Sequence, residues 1–266
     1  MRIHLVRNAT MLIDIGTSRI LVDPMLGPKG SLPPFALFRH RARRNPTVEL
    51  PPNIEPILES STVGLITHCH LGFDSDHLDR AGTRLLAQKK IPVFCNQLDE
   101  KRLRKRGLET MPLVQDKEHD FLGGTITPFA AQHGYGLMAK LMGPGVGYFL
   151  QMPKEPSLYI SGDTVLTPVV RQVLEEHKPD IAVLAAGSAQ MDFGQPILMP
   201  MGEILEFIRR SPGIVVANHL EALNHCSVTR DRLRAAVAQA GFTAKTRIPK
   251  DGEVMVFCSR TPCDDS

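Results

Sequence analysis

The sequence shows little charge imbalance, few cysteines and no long apolar run, and each shortage removes a class of protein. A net charge of +3 over 266 residues is too slight to imply a nucleic-acid partner. The basic residues are scattered apart from two clusters, Arg39 to Arg44 and Lys101 to Arg106, and no added nucleic-acid-binding domain is discernible in this length. The 5 cysteines are an odd number without Cys-x-x-Cys spacing, which argues for reduced thiols. No apolar run approaches membrane-spanning length, and Arg2 and Arg7 bracket a short apolar alternation where a signal peptide would have its apolar core. The expectation is a cytoplasmic protein with neither a membrane nor a nucleic-acid partner. Its 42% hydrophobic content suffices for one domain over residues 1–266.

What the chain does have is a dense polar stretch, Thr67-His68-Cys69-His70-Leu71-Gly72-Phe73-Asp74-Ser75-Asp76-His77-Leu78-Asp79, directly after the apolar run Val63 to Ile66. On an extended segment His68 and His70 project to the same side. Asp76 and His77 open an amphipathic stretch (Leu78, Leu85, Leu86) that reads as a helix. Imidazole and carboxylate together suit zinc, manganese or iron. A lone histidine here would read as a solvated loop residue, but the cluster does not stand alone. His133, Asp163 and His219 each follow a strand-like run (Thr125 to Phe129, Leu158 to Ser161, Ile214 to Asn218). Strand ends that each deliver one ligand are how a sheet builds a binuclear site.

Along the chain, residues 1 to 25 read as a β-meander: Arg2 to Arg7, Met11 to Ile15 and Arg19 to Asp23, the last ended by Pro24. Residues 26 to 58 hold 7 prolines, Pro28 to Pro56, and the run Arg39-His40-Arg41-Ala42-Arg43-Arg44. This is an excursion rather than core, and a loop this long in a compact domain is functional or disordered. A helix to about Lys89, a strand Ile91 to Cys95 and a helix Leu98 to Arg106 follow. A hairpin-like stretch from Phe121 to Gln132 pivots on Gly123-Gly124. Strands at Gly147 to Leu150, Ser157 to Ser161, Asp180 to Leu184 and Val254 to Cys258 then frame helices at Pro168 to His177, Met201 to Arg210 and Thr229 to Ala240. No internal repeat is visible.

The order His-x-His…Asp-His…His…Gly-Asp-Thr…His resembles the metallo-β-lactamase superfamily over nearly the whole chain. Arg7-Asn8-Ala9-Thr10, Ile20-Leu21-Val22-Asp23-Pro24 and Asn218-His219-Leu220-Glu221 most resemble its branch of ascorbate-6-phosphate lactonase and related metal-dependent hydrolases. The resemblance implies an α/β (α+β) fold of the four-layer αββα sandwich type, in which two mixed sheets pack face to face with helices outside. The family's usual His-x-His-x-Asp-His is lengthened here, with five residues rather than one between His70 and Asp76. Either Gly72 lets the four extra residues turn out as a bulge, which the retained Asp76-His77-Leu78-Asp79 favours, or Asp74 substitutes for Asp76, or the second metal site is weakened.

Carried over residue by residue, the resemblance assigns His68, His70 and His133 to one metal and Asp76, His77 and His219 to the other, with Asp163 bridging. The cofactors would be two divalent ions, zinc or manganese, with iron also compatible. Such a pair lowers the pKa of a bridging water towards about 7 and so supplies a hydroxide nucleophile, which Asp76 would orient. His225 is the candidate proton donor to the leaving group. Asp23 would lie near the metals without ligating them. The function implied is a metal-dependent hydrolase acting on a small ester, lactone or phosphodiester. Arg39, Arg41, Arg43 and Arg44 suggest an anionic substrate, or else a solvated loop or a subunit contact in a homo-oligomer. Two alternatives stand beside it: an iron-dependent oxidoreductase or dioxygenase on the same fold, and a non-catalytic, metal-stabilised binding module.

Overall fold

The computed structural model describes residues 1–69 and 76–258. Its strands are β1 (Arg2–Arg7), β2 (Thr10–Ile15), β3 (Ser18–Val22), β4 (Val63–Ile66), β5 (Val93–Asn96) and β6 (Thr110–Leu113), then β7 (His119–Phe121), β8 (Gly124–Gln132), β9 (Pro144–Gln151), β10 (Leu158–Ile160), β11 (Ile181–Ala185), β12 (Ile214–Asn218), β13 (Thr246–Arg247) and β14 (Val254–Val256). They form two seven-stranded sheets, ordered β14-β1-β2-β3-β4-β5-β6 and β13-β12-β11-β10-β9-β8-β7. In each sheet one end is antiparallel and the other parallel. β14/β1, β1/β2 and β2/β3 are antiparallel and β3/β4, β4/β5 and β5/β6 parallel, just as β7/β8, β8/β9 and β9/β10 precede parallel β10/β11, β11/β12 and β12/β13. The halves are thus related in topology although no repeat is visible in sequence, and β14 returns from the far end of the chain to complete the first sheet.

Side-chain alternation explains the layering. Ile20, Val22, Leu65, Ile181, Val183 and Val216 pack together between the sheets with Ile3, Leu5 and Tyr148. Their strand neighbours Leu21 and Ile66 face outward under α1 (Glu55–Glu59), α2 (Arg80–Gln88) and α3 (Glu100–Lys105). Ala182, Leu184, Val215 and Ala217 likewise face out towards α5 (Pro168–Gln172), α6 (Met201–Arg210) and α7 (Arg230–Gln239), α4 being the short Gly136–Met142 helix. This is the expected sandwich with a mixed α/β content. α5 continues as a wider π turn over Val173–His177. The elements that escape sequence reading include α1, α4, β13 and β6, whose Pro112 is tolerated because β6 is an edge strand. The hairpin turns at Leu122-Gly123, one residue earlier than expected.

The excursion is less detached than its composition suggests. Met25 and Leu32 form a small core with Ala222 and Leu223. The fully buried Arg7 holds the excursion from beneath by donating to the carbonyls of Met25, Gly27 and Val48. Among the described residues no helix is long and apolar enough to cross a membrane.

Candidate metal centre

Strand direction decides where the ligands meet. β3 and β4 are parallel, so Asp23 and His68, which follow them, leave the first sheet at the same edge. β8 and β10 are each antiparallel to β9, and β10, β11 and β12 are parallel, so β8, β10 and β12 all run one way. His133, Asp163 and His219 therefore emerge together from the carboxyl ends of the second sheet, where α/β sheets form their sites. A backbone hydrogen bond from Val146 to Thr67 (3.0 Å) joins the two sheets at this edge.

The turns that aim the ligands are constrained. Gly162, before Asp163, has φ +61°, and a Cβ there would lie 2.5 Å from the Val146 carbonyl, so both conformation and space require glycine. His219 itself is left-handed (φ 59°) and is held by donating its N–H to the Asn8 carbonyl at 3.0 Å. Asn8 also donates its side-chain amide to the Asp76 carbonyl at 3.3 Å. One residue of the β1–β2 turn therefore fixes two candidate ligands, a role the sequence pattern does not expose.

Asp163 stands at the centre. Its Oδ2 is 3.0 Å from His77 Nε2, 3.2 Å from His219 Nε2 and 3.8 Å from His133 Nε2. Asp76 Oδ2 lies 3.2 Å from His219 Nε2 and 3.6 Å from His77 Nε2. His68 Nε2 is 3.3 Å from His133 Nε2. The groups fall into two sets able to hold a cation, Asp76/His77/Asp163/His219 and His68/His133/Asp163, which share Asp163. Six of the seven expected ligands are thus brought together. The seventh, His70, and the alternative Asp74 lie outside the described residues.

A layer of hydrogen bonds orients the rings. Asp23, at φ 45° just past β3, accepts the Thr67 N–H through Oδ1 and, through Oδ2, both the Thr67 hydroxyl and His77 Nδ1, each at 2.8 Å. Because the Thr67 hydroxyl gives its proton to Asp23, it can only accept from His68 Nδ1, 3.1 Å away. Both histidines consequently carry the proton on Nδ1 and turn Nε2 inward, the arrangement in which a carboxylate sets a metal-binding imidazole. His219 Nδ1 instead faces the Cys226 sulfur at 3.5 Å.

The electrostatics fit cations. Burial alone would lower the His77 and His219 pKa values; Asp163 above all, helped at His77 by Asp23 and Asp76, raises both well above the ordinary value. Burial would conversely raise Asp163 and Asp76, yet the facing imidazoles hold both carboxylates well below the ordinary range. Without metal, two imidazolium protons supply the positive charge that the carboxylates need. Asp163 Oδ1, buried and without a hydrogen-bond partner, is a further lone pair suited to an ion. The donor set is the imidazole and carboxylate mixture of zinc, manganese or iron sites.

The remaining expected site residues fall elsewhere. His225 is buried, edge-on to Phe35 at a ring distance of 5.2 Å, and belongs to neither ligand set. Burial pushes its pKa down to about 4, outweighing the opposing pull of Asp76. It is therefore a neutral ring at pH 7, able to donate a hydrogen bond but without the proton that an acid role requires. Arg39 gives Nε to the Met191 carbonyl at 3.0 Å and so ties the loop to the segment after β11, whereas Arg44 gives Nε to Gly30 O at 2.6 Å and Nη2 to Ser31 O at 3.2 Å and so serves the loop's own backbone. Arg41 and Arg43 are exposed.

Two mixed sheets with a buried His/Asp cluster at their common carboxyl edge define a candidate metal centre on the metallo-β-lactamase fold. No protein-family model matches the chain. It is 31% identical over 264 residues to the UPF0173 protein YddR of Bacillus subtilis, covering 97% of this chain and 100% of that protein, and it belongs to the UPF0173 family. A UPF0173 metal-dependent hydrolase of Cupriavidus metallidurans is 25% identical, over 94% of this chain and 82% of its own length. Among solved structures, an isothiocyanate hydrolase from Delia radicum gut bacteria superposes with a TM-score of 0.88 at 31% identity, covering 97% of this chain and 100% of that one. The metallo-β-lactamase fold protein YhfI of Bacillus subtilis, at 14% identity and a TM-score of 0.64 over 96% of this chain and 98% of its own, shares the fold alone.

Proposed function

We propose that the chain is a binuclear hydrolase of small organic electrophiles, with isothiocyanates, esters, lactones and phosphodiesters as the substrate classes to be distinguished. The observation that carries this reading is Asp163, whose carboxylate belongs to both ligand sets. His68 and His133, with His70, would hold one ion; Asp76, His77 and His219 would hold the other. When bound, such a pair activates water and polarises the electrophile. Asp23 and Thr67 keep the ring nitrogens pointed inward, and burial of the cluster excludes bulk water from the reacting groups. The Asp76 carboxylate, less enclosed than Asp163, can accept a hydrogen bond from an incoming water and orient it.

The isothiocyanate hydrolase neighbour supports placing isothiocyanates first. Their hydrolysis balances as R–N=C=S plus water giving R–NH2 and carbonyl sulfide. Water oxygen bonds to the central carbon, the C–N bond breaks, and both water protons end on nitrogen. A neutral His225 suits this chemistry as a hydrogen-bond donor to the substrate heteroatom. Arg39 and Arg44 are engaged by backbone carbonyls, which leaves the exposed Arg41 and Arg43 as the cations available to an anionic substrate. The partner in this reading is a small molecule.

The test is turnover of phenethyl isothiocyanate, p-nitrophenyl acetate, a γ-lactone and bis-p-nitrophenyl phosphate by zinc- and manganese-reconstituted protein, alongside metal analysis. Turnover of at least one that a chelator abolishes is expected, with two ions per chain. Protein that carries two ions and hydrolyses none of the four would refute the reading. Iron retention with substrate-dependent oxygen uptake would replace it by the oxidoreductase alternative.

A further inference from the structure

A ring that turns Nε2 towards a cation needs a group behind it to hold Nδ1, and His219 is served differently from His68 and His77. Those two are backed by oxygen, from Thr67 and Asp23. His219 Nε2 faces Asp76 Oδ2 and Asp163 Oδ2, both at 3.2 Å, while its Nδ1 faces Cys226 Sγ at 3.5 Å. An imidazole that gives Nε2 to a cation keeps its proton on Nδ1, so the sulfur has to be the acceptor. Sulfur accepts weakly, which sets His219 apart from the other two rings.

The thiol is wedged into this position. Cys226 pairs with Ala189 in an antiparallel bridge, and its N–H is donated to the Leu223 carbonyl at 3.2 Å. Two residues on, Val228 donates its N–H to the Gly187 carbonyl at 3.1 Å. Gly187 is what lets the thiol lie against the ring, since a Cβ there would sit 2.8 Å from Cys226 Sγ and 2.2 Å from the His219 carbonyl. Away from the ring, the half-buried Cys226 packs against the excursion's small core around Leu32 and Leu223 and against a cluster around Ala189 and Ile197. A carboxylate in these surroundings would leave an oxygen unpaired among apolar groups. A thiol suits both sides, because it behaves as a small apolar group that also carries a weak acceptor.

We propose that Cys226 is the positioning residue of His219, a neutral thiol that accepts the Nδ1 proton and so holds Nε2 towards Asp76 and Asp163. The ion held by Asp76, His77 and His219 then depends on Cys226, and the ion held with His68 and His133 does not. The proposal rests on the metal-site reading and is testable without turnover.

Three variants separate the acceptor from the filler. Cys226→Ser keeps an acceptor, Cys226→Val keeps apolar volume without one, and Cys226→Ala removes both. Zinc affinity is read by competition with a chromophoric chelator, and the His219 ring N–H by nitrogen-15 NMR of metal-free, histidine-labelled full-length protein. One of the two zinc ions should bind about tenfold more weakly in Cys226→Val and Cys226→Ala and within about threefold of wild type in Cys226→Ser, with the other ion unchanged. The His219 Nδ1–H resonance should move upfield in Cys226→Val and Cys226→Ala and stay in place in Cys226→Ser. Wild-type affinity with an unmoved resonance in Cys226→Val, or rescue by Cys226→Val and not by Cys226→Ser, would make the thiol a filler and overturn the proposal. The expected resonances in a protein that binds no zinc would uphold the positioning of His219 and sink only the metal reading. The expected zinc affinities in a protein that hydrolyses none of the four substrates would uphold it and sink only the hydrolase reading.

Discussion

Replacing Asp163 by asparagine tests the centre of the site most directly. The side chain keeps its shape and loses one negative charge that lies 3.0 Å from His77 Nε2 and 3.2 Å from His219 Nε2. Opposite unit charges about 4 Å apart attract by about 4 kcal/mol at an effective dielectric of about 20. Removing the carboxylate that belongs to both ligand sets should therefore weaken each ion by about a thousandfold. Mass spectrometric metal analysis after desalting should fall from two ions per chain to at most one, and chelator-sensitive turnover should disappear. A second readout is proton release. Imidazoliums at His77 and His219 must give up their protons when metal binds, so calorimetry in buffers of different ionisation enthalpy should detect proton release in the wild type and less of it in the variant. Asp163→Asn protein that retains two ions with wild-type affinity would refute the shared-ligand reasoning, whatever its activity.

The metal-free protein should have a defined pH window of stability. The depressed carboxylates Asp76 and Asp163 contribute stability above their unfolded value of 3.8 that is lost as pH falls through their lower folded values, and the raised His77 and His219 contribute stability below 6.5 that is lost as pH rises through their folded values. The Tm of chelator-treated protein should accordingly peak between these limits and fall on the alkaline side; a Tm that climbs steadily from pH 6.5 to 9 would contradict the assignment. Asp23→Asn, which weakens the hold on His77 Nδ1, should cost about 10–100-fold in metal affinity with the fold intact by circular dichroism; unchanged affinity would make Asp23 a turn residue only. Joint replacement of Arg39, Arg41, Arg43 and Arg44 by glutamine should affect an anionic and a neutral ester alike, through loss of the loop's carbonyl contacts; a KM rise confined to the anion would reinstate charge capture.

How much of this is legible in sequence depends on distance along the chain. Strand ends can be read because an apolar alternation stops at a polar residue, and this suffices to single out His68, His133, Asp163 and His219. The layers can be read for the same reason: Leu21 between Ile20 and Val22 faces the outer helices while its neighbours face the other sheet. What fixes the ligands cannot be read, because the partners are remote and chemically ordinary. Asn8 binds His219 and Asp76 across the fold, Cys226 faces His219, and Asn224 and Asp192 dock a loop more than 150 residues upstream. His225 is a different case: a histidine at a site loop suggests an acid, and the burial that lowers its pKa to about 4 is not legible in the sequence.

The lengthened spacing between His70 and Asp76 is where sequence left three outcomes open; residues 70–75 lie outside the described residues, and the surroundings of residues 76 to 79 bear on where Asp76 and His77 go. Asp76 and His77 reach the cluster, with the His77 ring 4.0 Å from that of His68. Among the described residues, groups from other elements hold them there. Asp23 binds His77 Nδ1, and Asn8 binds the Asp76 carbonyl. Asp79 caps α2 by accepting Gly82 N at 2.8 Å and ties it to the excursion by accepting Gly27 N at 2.6 Å. α2 also sits close on Pro24, since a Cβ at Gly82 would lie 2.1 Å from the Pro24 carbonyl. Among the described residues, anchors next to β1, β3 and α2 thus hold Asp76 and His77 in place. Deleting Leu71 to Asp74, which restores His-x-His-x-Asp-His, should leave the metal-binding stoichiometry at two and the Tm of the metal-loaded protein close to wild type. A fall to one ion in the shortened protein would mean that the extra residues, rather than these anchors, bring Asp76 and His77 to the metals.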